Sequence, residues 1–289
     1  MPVRGAPSPA DRAALAALVA APKFELIPLA NALAEASVLP AEATVTVTSS
    51  QARGMAASVE LCGALRERGH DVVPHLSAHL IRDRAELRDL LRILAGMGVR
   101  RTFVVGGDGP VTGDFPDGLS LLRAMADSGH DFTEIGVPCY PEGHPAISDA
   151  RLDEVLVEKA AWADYMVSQM CFDAGVISSW LLARRARGLT LPLHLGLPGA
   201  APLHRLMSIS ARIGVADSRR FLTKNPRFVS RLLLAPGGYR PDGLLDALAS
   251  VVSDPAAAVT GLHIFTFNQV QSTEAWRAQY LATLRGPAV

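Results

Sequence analysis

Short, continuous apolar runs alternate with longer segments of helical periodicity along almost the whole chain. The apolar runs are rich in β-branched residues and most do not alternate with polar positions, which is typical of parallel strands covered by helices. This pattern predicts eight strands. They are Phe24–Leu29, Thr44–Thr48, Asp71–Leu76, Arg101–Val105, Glu134–Cys139, Tyr165–Gln169, Leu191–Leu197 and Gly261–Phe267.

Amphipathic helices are predicted between the strands. Arg84–Met97 is the clearest of them, because its leucines recur at helical spacing and Gly98 follows it. A glycine just after a helix adopts the left-handed conformation that helix ends favour. The same rhythm predicts further helices at Met55–Arg68, Leu119–Asp127, Asp153–Ala163, Ile177–Ala186 and Leu203–Ile213.

Eight strand–helix repeats in 289 residues predict an α/β fold, a single closed (β/α)8 TIM barrel. An open doubly wound sheet usually carries a glycine-rich fingerprint after its first strand, and no such motif follows the first strand here. We expect residues 1–22 to be an N-terminal extension with a surface helix, and residues 23–289 to form the barrel domain. The long segment Pro198–Thr260 is expected to place two or three helices over the barrel mouth.

Charge and cysteine content exclude several classes of protein. The formal net charge is zero and the sequence pI is about 7.1, so no electrostatic footprint indicates a nucleic acid or an anionic membrane as partner. The three cysteines have no paired spacing, which argues against a disulfide scaffold or a structural zinc site and favours the cytoplasm. No apolar run reaches the roughly 18 residues of a membrane span, and no signal peptide is recognised.

Active sites of such barrels lie at the carboxyl ends of the strands. Polar side chains predicted there also have ordinary structural interpretations, such as a hydrogen-bonded core histidine or a turn aspartate. The candidates are Glu25, Thr48, His75, Ser77, Asp108, Tyr140, Glu142, His144, Gln169, Asp173, His194, Asn268 and Gln269.

The motifs FELIP, PHLSAH, GGDGP, CYPEGHP, VSQMCFD and GLPG occur in an order that resembles the catalytic barrel of the methylenetetrahydrofolate reductase family. The resemblance covers roughly residues 23–285, and YPEGHP followed by SQMCFD is its most specific part. It implies a (β/α)8 barrel that reduces methylenetetrahydrofolate with hydride from NADH or NADPH. A tetrahydrofolate derivative and a nicotinamide dinucleotide are therefore the expected partners. The regulatory region of larger family members is not expected.

The resemblance assigns the folate side of the site to four residues. Glu25 is implied as the general acid, because opening the methylene bridge to an iminium requires protonation of one folate nitrogen. Asp108 follows two glycines that let a flat ligand approach the backbone, and its carboxylate can accept hydrogen bonds from a pterin. Gln169 offers an amide donor and acceptor to the same ring edge. Phe172 is implied as a stacking face, or else as core packing.

The resemblance also implies a cofactor side, where this chain departs from the family pattern. An arginine usual before the glycine–aspartate pair is replaced by Gly106, Glu158 stands where a basic residue is often found, and Trp162 alters the following turn. A glutamate repels a pyrophosphate and a tryptophan fills volume. We therefore expect FAD binding to be doubtful and hydride to pass directly from nicotinamide to folate, as in short, flavin-independent family members. The implied cofactor-binding residues are Thr48, His75, Tyr140, His144 and Lys159.

Three alternatives remain open from the sequence. The first is an FAD-dependent reductase with the same reaction. The second is a metal-dependent barrel enzyme, although no metal is expected because the candidate histidines lack an H-x-H pair on one strand. The third is a non-catalytic folate-binding protein. The histidines of the second alternative are His75, His79, His144 and His194.

A basic stretch near the predicted mouth could bind the glutamate tail of folate or the phosphates of the dinucleotide, or be a solvated helix face. Its basic residues are Arg219, Arg220, Lys224 and Arg227.

Overall fold

Eight parallel strands close into a barrel in chain order, with β1 paired to both β2 and β8. The computed structural model describes residues 6–49, 51–107, 109–144, 146–200 and 239–286. The predicted (β/α)8 fold is confirmed. The strands are β1 (Lys23–Leu26), β2 (Thr44–Val47), β3 (Asp71–Ser77), β4 (Arg101–Val105), β5 (Glu134–Cys139), β6 (Tyr165–Ser168), β7 (Leu193–Pro198) and β8 (Val259–Phe265).

Helices follow the strands on the outside of the barrel. Several begin at a side-chain cap, as where Asp83 accepts hydrogen bonds from the backbone N–H groups of Ala85 and Glu86. In the described part of the chain the helices are α1 (Pro9–Ala20), α2 (Ala32–Ala36), α3 (Gly54–Glu67), α4 (Arg84–Gly96), α5 (Gly118–Ser128), α6 (Asp149–Lys159), α7 (Ala174–Ala186), α8 (Asp242–Val252) and α9 (Val270–Arg285).

Helix α8, the described helix of the segment before the last strand, does not lie over the barrel mouth as expected. It lies in the outer ring and contacts α1, α7 and β8. Its buried leucines Leu244, Leu245 and Leu248 form one apolar face, and that face packs into the core between the barrel and the helices. The predicted helix Leu203–Ile213 and the basic residues Arg219, Arg220, Lys224 and Arg227 lie outside the described residues.

Helix α1 belongs to the same outer ring. A capping box between Ser8 and Asp11 begins it, and it packs against α8 and α9 with Leu15 and Val19 fully buried. The predicted N-terminal helix therefore contributes to the barrel's outer core. Within the described part of the chain, no helix combines the length and apolarity needed to cross a bilayer.

The barrel interior holds a second, separate core. Side chains that face outward from the strands join the large cluster under the helices, whereas Val73, Phe103, Tyr165 and Val167 form their own cluster inside the barrel. Glycines leave the space that these interior rings occupy. A Cβ atom built on Gly136 would lie 2.3 Å from Cζ of Tyr165. The volume of the interior rings therefore requires a glycine at this position.

The amino end of the barrel is closed by a charged network. Lys23 of β1 forms a hydrogen-bonded ion pair with Glu134, and its Nζ lies 3.7 Å from the ring centroid of Tyr165. Arg101 joins the pair, with Nε 3.4 Å from a Glu134 oxygen and Nη1 2.6 Å from Asp71. Opposite charges thus balance at this end, and the polar groups at the other end remain for a ligand.

Candidate active site

A carboxyl group and two imidazoles meet inside the barrel toward its carboxyl end. Oε2 of Glu25 on β1 lies 3.0 Å from Nε2 of His263 on β8 and 3.9 Å from Nε2 of His75 on β3. Strands β1 and β8 are neighbours in the barrel, where Lys23 pairs with His263 and Glu25 with Phe265. The Glu25 side chain is 14% exposed, so it alone of the three reaches the solvent side.

The two imidazoles are enclosed by aromatic rings. The His75 ring centroid lies 4.8 Å from that of Phe103, and the His263 ring lies 4.9 Å from Phe265 and 6.0 Å from His75. Burial lowers the pKa of His75 to about 4, despite the opposing effect of the Glu25 charge. His75 is thus a neutral donor or acceptor at neutral pH. Its Nε2 and the Nδ1 of His263 are buried without a hydrogen-bond partner in the described residues.

The end of β8 fixes the backbone that carries Glu25. Oγ1 of Thr266 donates a 2.5 Å hydrogen bond to the carbonyl oxygen of Glu25. The buried Asn268 amide accepts from the Ile27 N–H at 2.8 Å and donates to the Ile27 carbonyl at 2.9 Å. Phe267 and Asn268 both have positive φ, which turns the chain sharply after the strand. Asn268, a candidate from the sequence, therefore holds β1 and β8 together.

Two loops pack together beside this cluster. Each ring nitrogen of His79 lies within hydrogen-bonding distance of a carbonyl oxygen of the β4–α5 loop, 2.8 Å from that of Gly109 and 3.0 Å from that of Pro116. Gly107 has a φ of 114°, and a Cβ atom there would lie 2.6 Å from Oγ of Ser77. Both features fix the backbone on either side of Asp108, whose own position lies outside the described residues.

Gln169 and Phe172 lie at the carboxyl end of β6. The Gln169 N–H donates to the Cys139 carbonyl at 2.7 Å, and its side-chain Oε1 accepts from the Met170 N–H at 2.9 Å. Its amide group is exposed. Phe172 makes an edge contact with Tyr239, with centroids 5.4 Å apart. It belongs to an apolar cluster at the mouth with Ile27, Leu29, Met170, Tyr239, Phe265 and Phe267.

Tyr140 and Lys159 line a different space, a cavity of about 850 Å³ between the end of β5 and helices α6 and α7. Lys159 is buried, and burial lowers its pKa although the Asp117 carboxylate favours the charged form. Tyr140 packs edge-on against His144, with centroids 5.2 Å apart. Thr48 follows β2, and its carbonyl oxygen accepts a 3.0 Å hydrogen bond from Ser58.

Residues 15–217 match the family model of methylenetetrahydrofolate reductase. The chain belongs to the methylenetetrahydrofolate reductase family. It is 34% identical over 98 residues to methylenetetrahydrofolate reductase 2 of Saccharomyces cerevisiae, covering 32% of this chain and 16% of the relative. It is 29% identical over 150 residues to 5,10-methylenetetrahydrofolate reductase of Pectobacterium carotovorum, covering 48% and 46%.

A third relative is methylenetetrahydrofolate reductase 1 of Schizosaccharomyces pombe. The identity is 24% over 188 residues, which covers 59% of this chain and 29% of the relative. The chain spans less than half the length of each of these three curated relatives. The family resemblance inferred from the motifs is thus confirmed.

The residues that the resemblance implied for cofactor binding have different surroundings in the structure. Tyr140 and Lys159 line the cavity beside α6 and α7, whereas His75 is enclosed in the barrel with its Nε2 toward Glu25. Glu158 points to the surface, where Oε2 accepts from Arg123 at 2.7 Å.

His263, whose ring contacts the Glu25 carboxyl, was not among the predicted site residues. The candidates near β8 were Asn268 and Gln269, which follow the strand, whereas His263 lies within it. The signal was present in the alternation of Gly261, His263 and Phe265, which places these three on one face of β8.

The four-histidine metal hypothesis is not supported by the positions of those histidines. His79 holds the β4–α5 loop, His144 packs on Tyr140, and His194 stacks on Tyr165 with centroids 4.3 Å apart. Only His75 belongs to a group whose potential ligand atoms converge. In the described residues that group is Glu25, His75 and His263, with ligand atoms within 4.8 Å of one another.

Proposed function

We propose that this protein reduces 5,10-methylenetetrahydrofolate to 5-methyltetrahydrofolate, and that NADH or NADPH gives its hydride directly to the folate. The observation that carries the proposal is the Glu25–His263 contact of 3.0 Å at the open end of the barrel, in a chain of the methylenetetrahydrofolate reductase family. A carboxyl group in that position is suited to act as a general acid on a bound ligand.

The reaction requires one proton and one hydride for each turnover. Glu25 donates the proton to one nitrogen of the methylene bridge, and the bond from that nitrogen to the bridge carbon breaks. The remaining iminium carbon accepts hydride from the nicotinamide, which leaves oxidised. The positive charge that develops next to Glu25 is stabilised by the carboxylate formed in the first step.

His263 positions the acid and restores its proton. The 3.0 Å contact holds one carboxyl oxygen, so the other oxygen is free to face the folate. A single proton can lie on either partner of such a contact. After Glu25 has given its proton to the folate, the carboxylate therefore has an imidazole beside it that can carry a replacement.

Gln169 and Phe172 are the proposed folate contacts in the described residues, and Asp108 is proposed as the third. The exposed Gln169 amide can pair with the mixed donor and acceptor edge of a pterin. Phe172 stands in an apolar cluster at the mouth, where a flat ring can bury its face. Both residues follow β6, the strand that ends beside the cavity containing Tyr140.

Direct hydride transfer is supported by the departures of this chain from the family pattern at Gly106, Glu158 and Trp162. It requires nicotinamide and folate to be bound together, with the two carbons about 3–3.5 Å apart. Thr48, Tyr140, His144 and Lys159 are then proposed to bind the dinucleotide, and His75 to act through the Glu25 cluster. Hydride transfer within a ternary complex needs no resident flavin.

We also propose that the protein works in the cytoplasm. Its three cysteines are free and buried, and burial raises the pKa of Cys62 to about 12. Thiols held in this protonated state are suited to a reducing compartment and have no disulfide role.

The test is nicotinamide oxidation by the purified protein with methylenetetrahydrofolate and no added flavin. We expect folate-dependent loss of the reduced-nicotinamide absorbance, from protein without a flavin absorption band. Glu25→Gln should bind folate and lose at least about 100-fold in turnover, because a positioned general acid contributes 10²–10⁴-fold. Glu67→Gln, on the exposed end of α3, is the matched control and should retain full activity.

Three outcomes would contradict parts of the proposal. Activity that appears only with FAD would exclude direct transfer and favour the flavoenzyme. Folate binding without turnover under either condition would favour a non-catalytic folate-binding protein. Full activity in Glu25→Gln would remove Glu25 from the acid role.

A further inference from the structure

We propose that Glu25, His75 and His263 form a binding site for a divalent transition-metal ion of the zinc class. The site is distinct from the cavity at α6 and α7, and His75 is its one member among the four histidines considered in the sequence. Metal binding there would occupy the Glu25 carboxylate and switch off its use as an acid.

The geometry needs only small movements to hold such an ion. Ligand atoms bonded to zinc at about 2.0–2.1 Å in a tetrahedral arrangement lie about 3.3 Å apart. Here Oε2 of Glu25 is 3.0 Å from Nε2 of His263 and 3.9 Å from Nε2 of His75. All three atoms lie within 4.8 Å of one another. Side-chain movements that change these separations by up to about 1.5 Å close the differences.

The donor set selects the class of ion. Two imidazole nitrogens and one carboxylate oxygen suit zinc, cobalt, nickel and iron(II), whereas magnesium and calcium prefer oxygen ligands alone. Three protein ligands leave at least one position for water or a ligand atom. Glu25 is the more exposed member and the histidine side chains are at most 5% exposed, so the open position faces the mouth.

An unsatisfied group independently points to a ligand at this place. Nε2 of His75 is fully enclosed, has no hydrogen-bond partner in the described residues, and faces the Glu25 carboxyl from 3.9 Å. A buried polar nitrogen without a partner is costly, and its lone pair is available for coordination. A metal ion between the three side chains would satisfy His75 and replace the existing Glu25–His263 hydrogen bond.

Coordination needs a lone pair on each ligand atom. A proton on the Glu25 carboxyl would leave to the buffer, and one on Nε2 of His263 would leave or move to Nδ1, which has no partner in the described residues. A metal-bound Glu25 carboxylate therefore cannot act as the acid of ring opening. Inhibition of turnover rests on the proposed function, whereas metal binding does not.

The experiment is a titration of the unaltered full chain with Co²⁺ alone, followed by visible absorption, and then displacement by Zn²⁺. We expect one equivalent of Co²⁺ to bind and to give a visible d–d absorption band. Added Zn²⁺ should displace the Co²⁺ and abolish that band. Removing a residue that only hydrogen-bonds to a metal ligand weakens metal affinity by about 10–100-fold. Removing a ligand itself, as in His75→Phe or His263→Phe, should therefore weaken Co²⁺ binding by at least about 100-fold. His194→Phe, the same change inside the same barrel but outside the metal group, should bind like the unaltered protein.

Anomalous diffraction from Zn²⁺-soaked crystals of the unaltered protein keeps the test independent of how the variants fold. A peak between Glu25, His75 and His263 supports the site. No saturable Co²⁺ band, or an equal band in His75→Phe and His263→Phe, overturns it. If the protein binds metal but shows no turnover, the proposed reductase function alone is refuted. If the protein is an active reductase but binds no metal, the metal site alone is refuted.

Discussion

Replacing His194 with phenylalanine should remove part of the acid sensitivity of the fold. His194 lies inside the barrel against Tyr165, and burial lowers its pKa to about 3 from the usual 6.5. The charges of Lys23, His263 and Arg101 act in the same direction but contribute less. In the unfolded chain the imidazole is protonated below pH 6.5, whereas in the fold it stays neutral. Stability is therefore fully present above pH 6.5 and declines as the pH falls toward 3.

The magnitude follows from the width of this interval. A pH of 5 is 1.5 units below the usual histidine pKa of 6.5, and each unit is about 1.36 kcal/mol. Keeping His194 neutral in the fold therefore lowers the free energy of unfolding at pH 5 by about 2 kcal/mol. The same loss is expected for any pKa of His194 in the folded protein that lies well below 5. Phenylalanine keeps the ring above Gly261 without the titration. It also removes Nδ1, which has no partner in the described residues.

Urea unfolding of both proteins at pH 7.5 and pH 5 measures the effect. The loss of unfolding free energy between the two pH values should be about 2 kcal/mol smaller in His194→Phe than in the original protein. His130→Phe, at an exposed histidine, should leave the loss unchanged. An equal loss in His194→Phe and the original protein would refute the idea that His194 is held neutral by burial.

Further substitutions test the backbone that carries the site. Gly196→Ala should destabilise the fold by about 3 kcal/mol or more, because its Cβ would lie 1.8 Å from the Ser168 carbonyl oxygen. Gly243→Ala, with open space around it, should be neutral or gain up to about 1 kcal/mol, and urea unfolding compares the two. Asn268→Ala should cost about 3 kcal/mol by leaving both Ile27 backbone groups unpaired, and a loss below 1 kcal/mol would contradict the structural role.

Strand positions were predictable because buried parallel strands are continuous apolar runs with clear ends. The predicted bounds of Arg101–Val105 and Glu134–Cys139 match the structure residue for residue. Elsewhere backbone chemistry shifted the ends. The seventh strand starts at Leu193 rather than Leu191, because Pro192 lacks the N–H group that a strand ladder requires. The last strand stops before Phe267, where φ becomes positive, although its apolar pattern continues.

The site was predictable only where a motif marked it. Glu25 stood out at a strand end, and the structure gives it two imidazole neighbours. His263 did not stand out in the sequence, because it comes close to Glu25 only when the barrel closes and β8 lies beside β1. Similarly, no local pattern shows that Lys159 and Tyr140 line one cavity while His75 faces Glu25. Such relations depend on strand order and stagger, which sequence spacing does not encode.

The fate of the transferred hydrogen tests the central claim most directly. The protein as purified, with no flavin added, is given methylenetetrahydrofolate and reduced nicotinamide dinucleotide deuterated at the transferred C4 position, in ordinary water. The product methyl group is analysed by mass spectrometry. Direct transfer predicts one deuterium in every methyl group formed. Loss of the deuterium to solvent would reveal an exchangeable carrier such as flavin between the two substrates, and would contradict direct hydride transfer at this site.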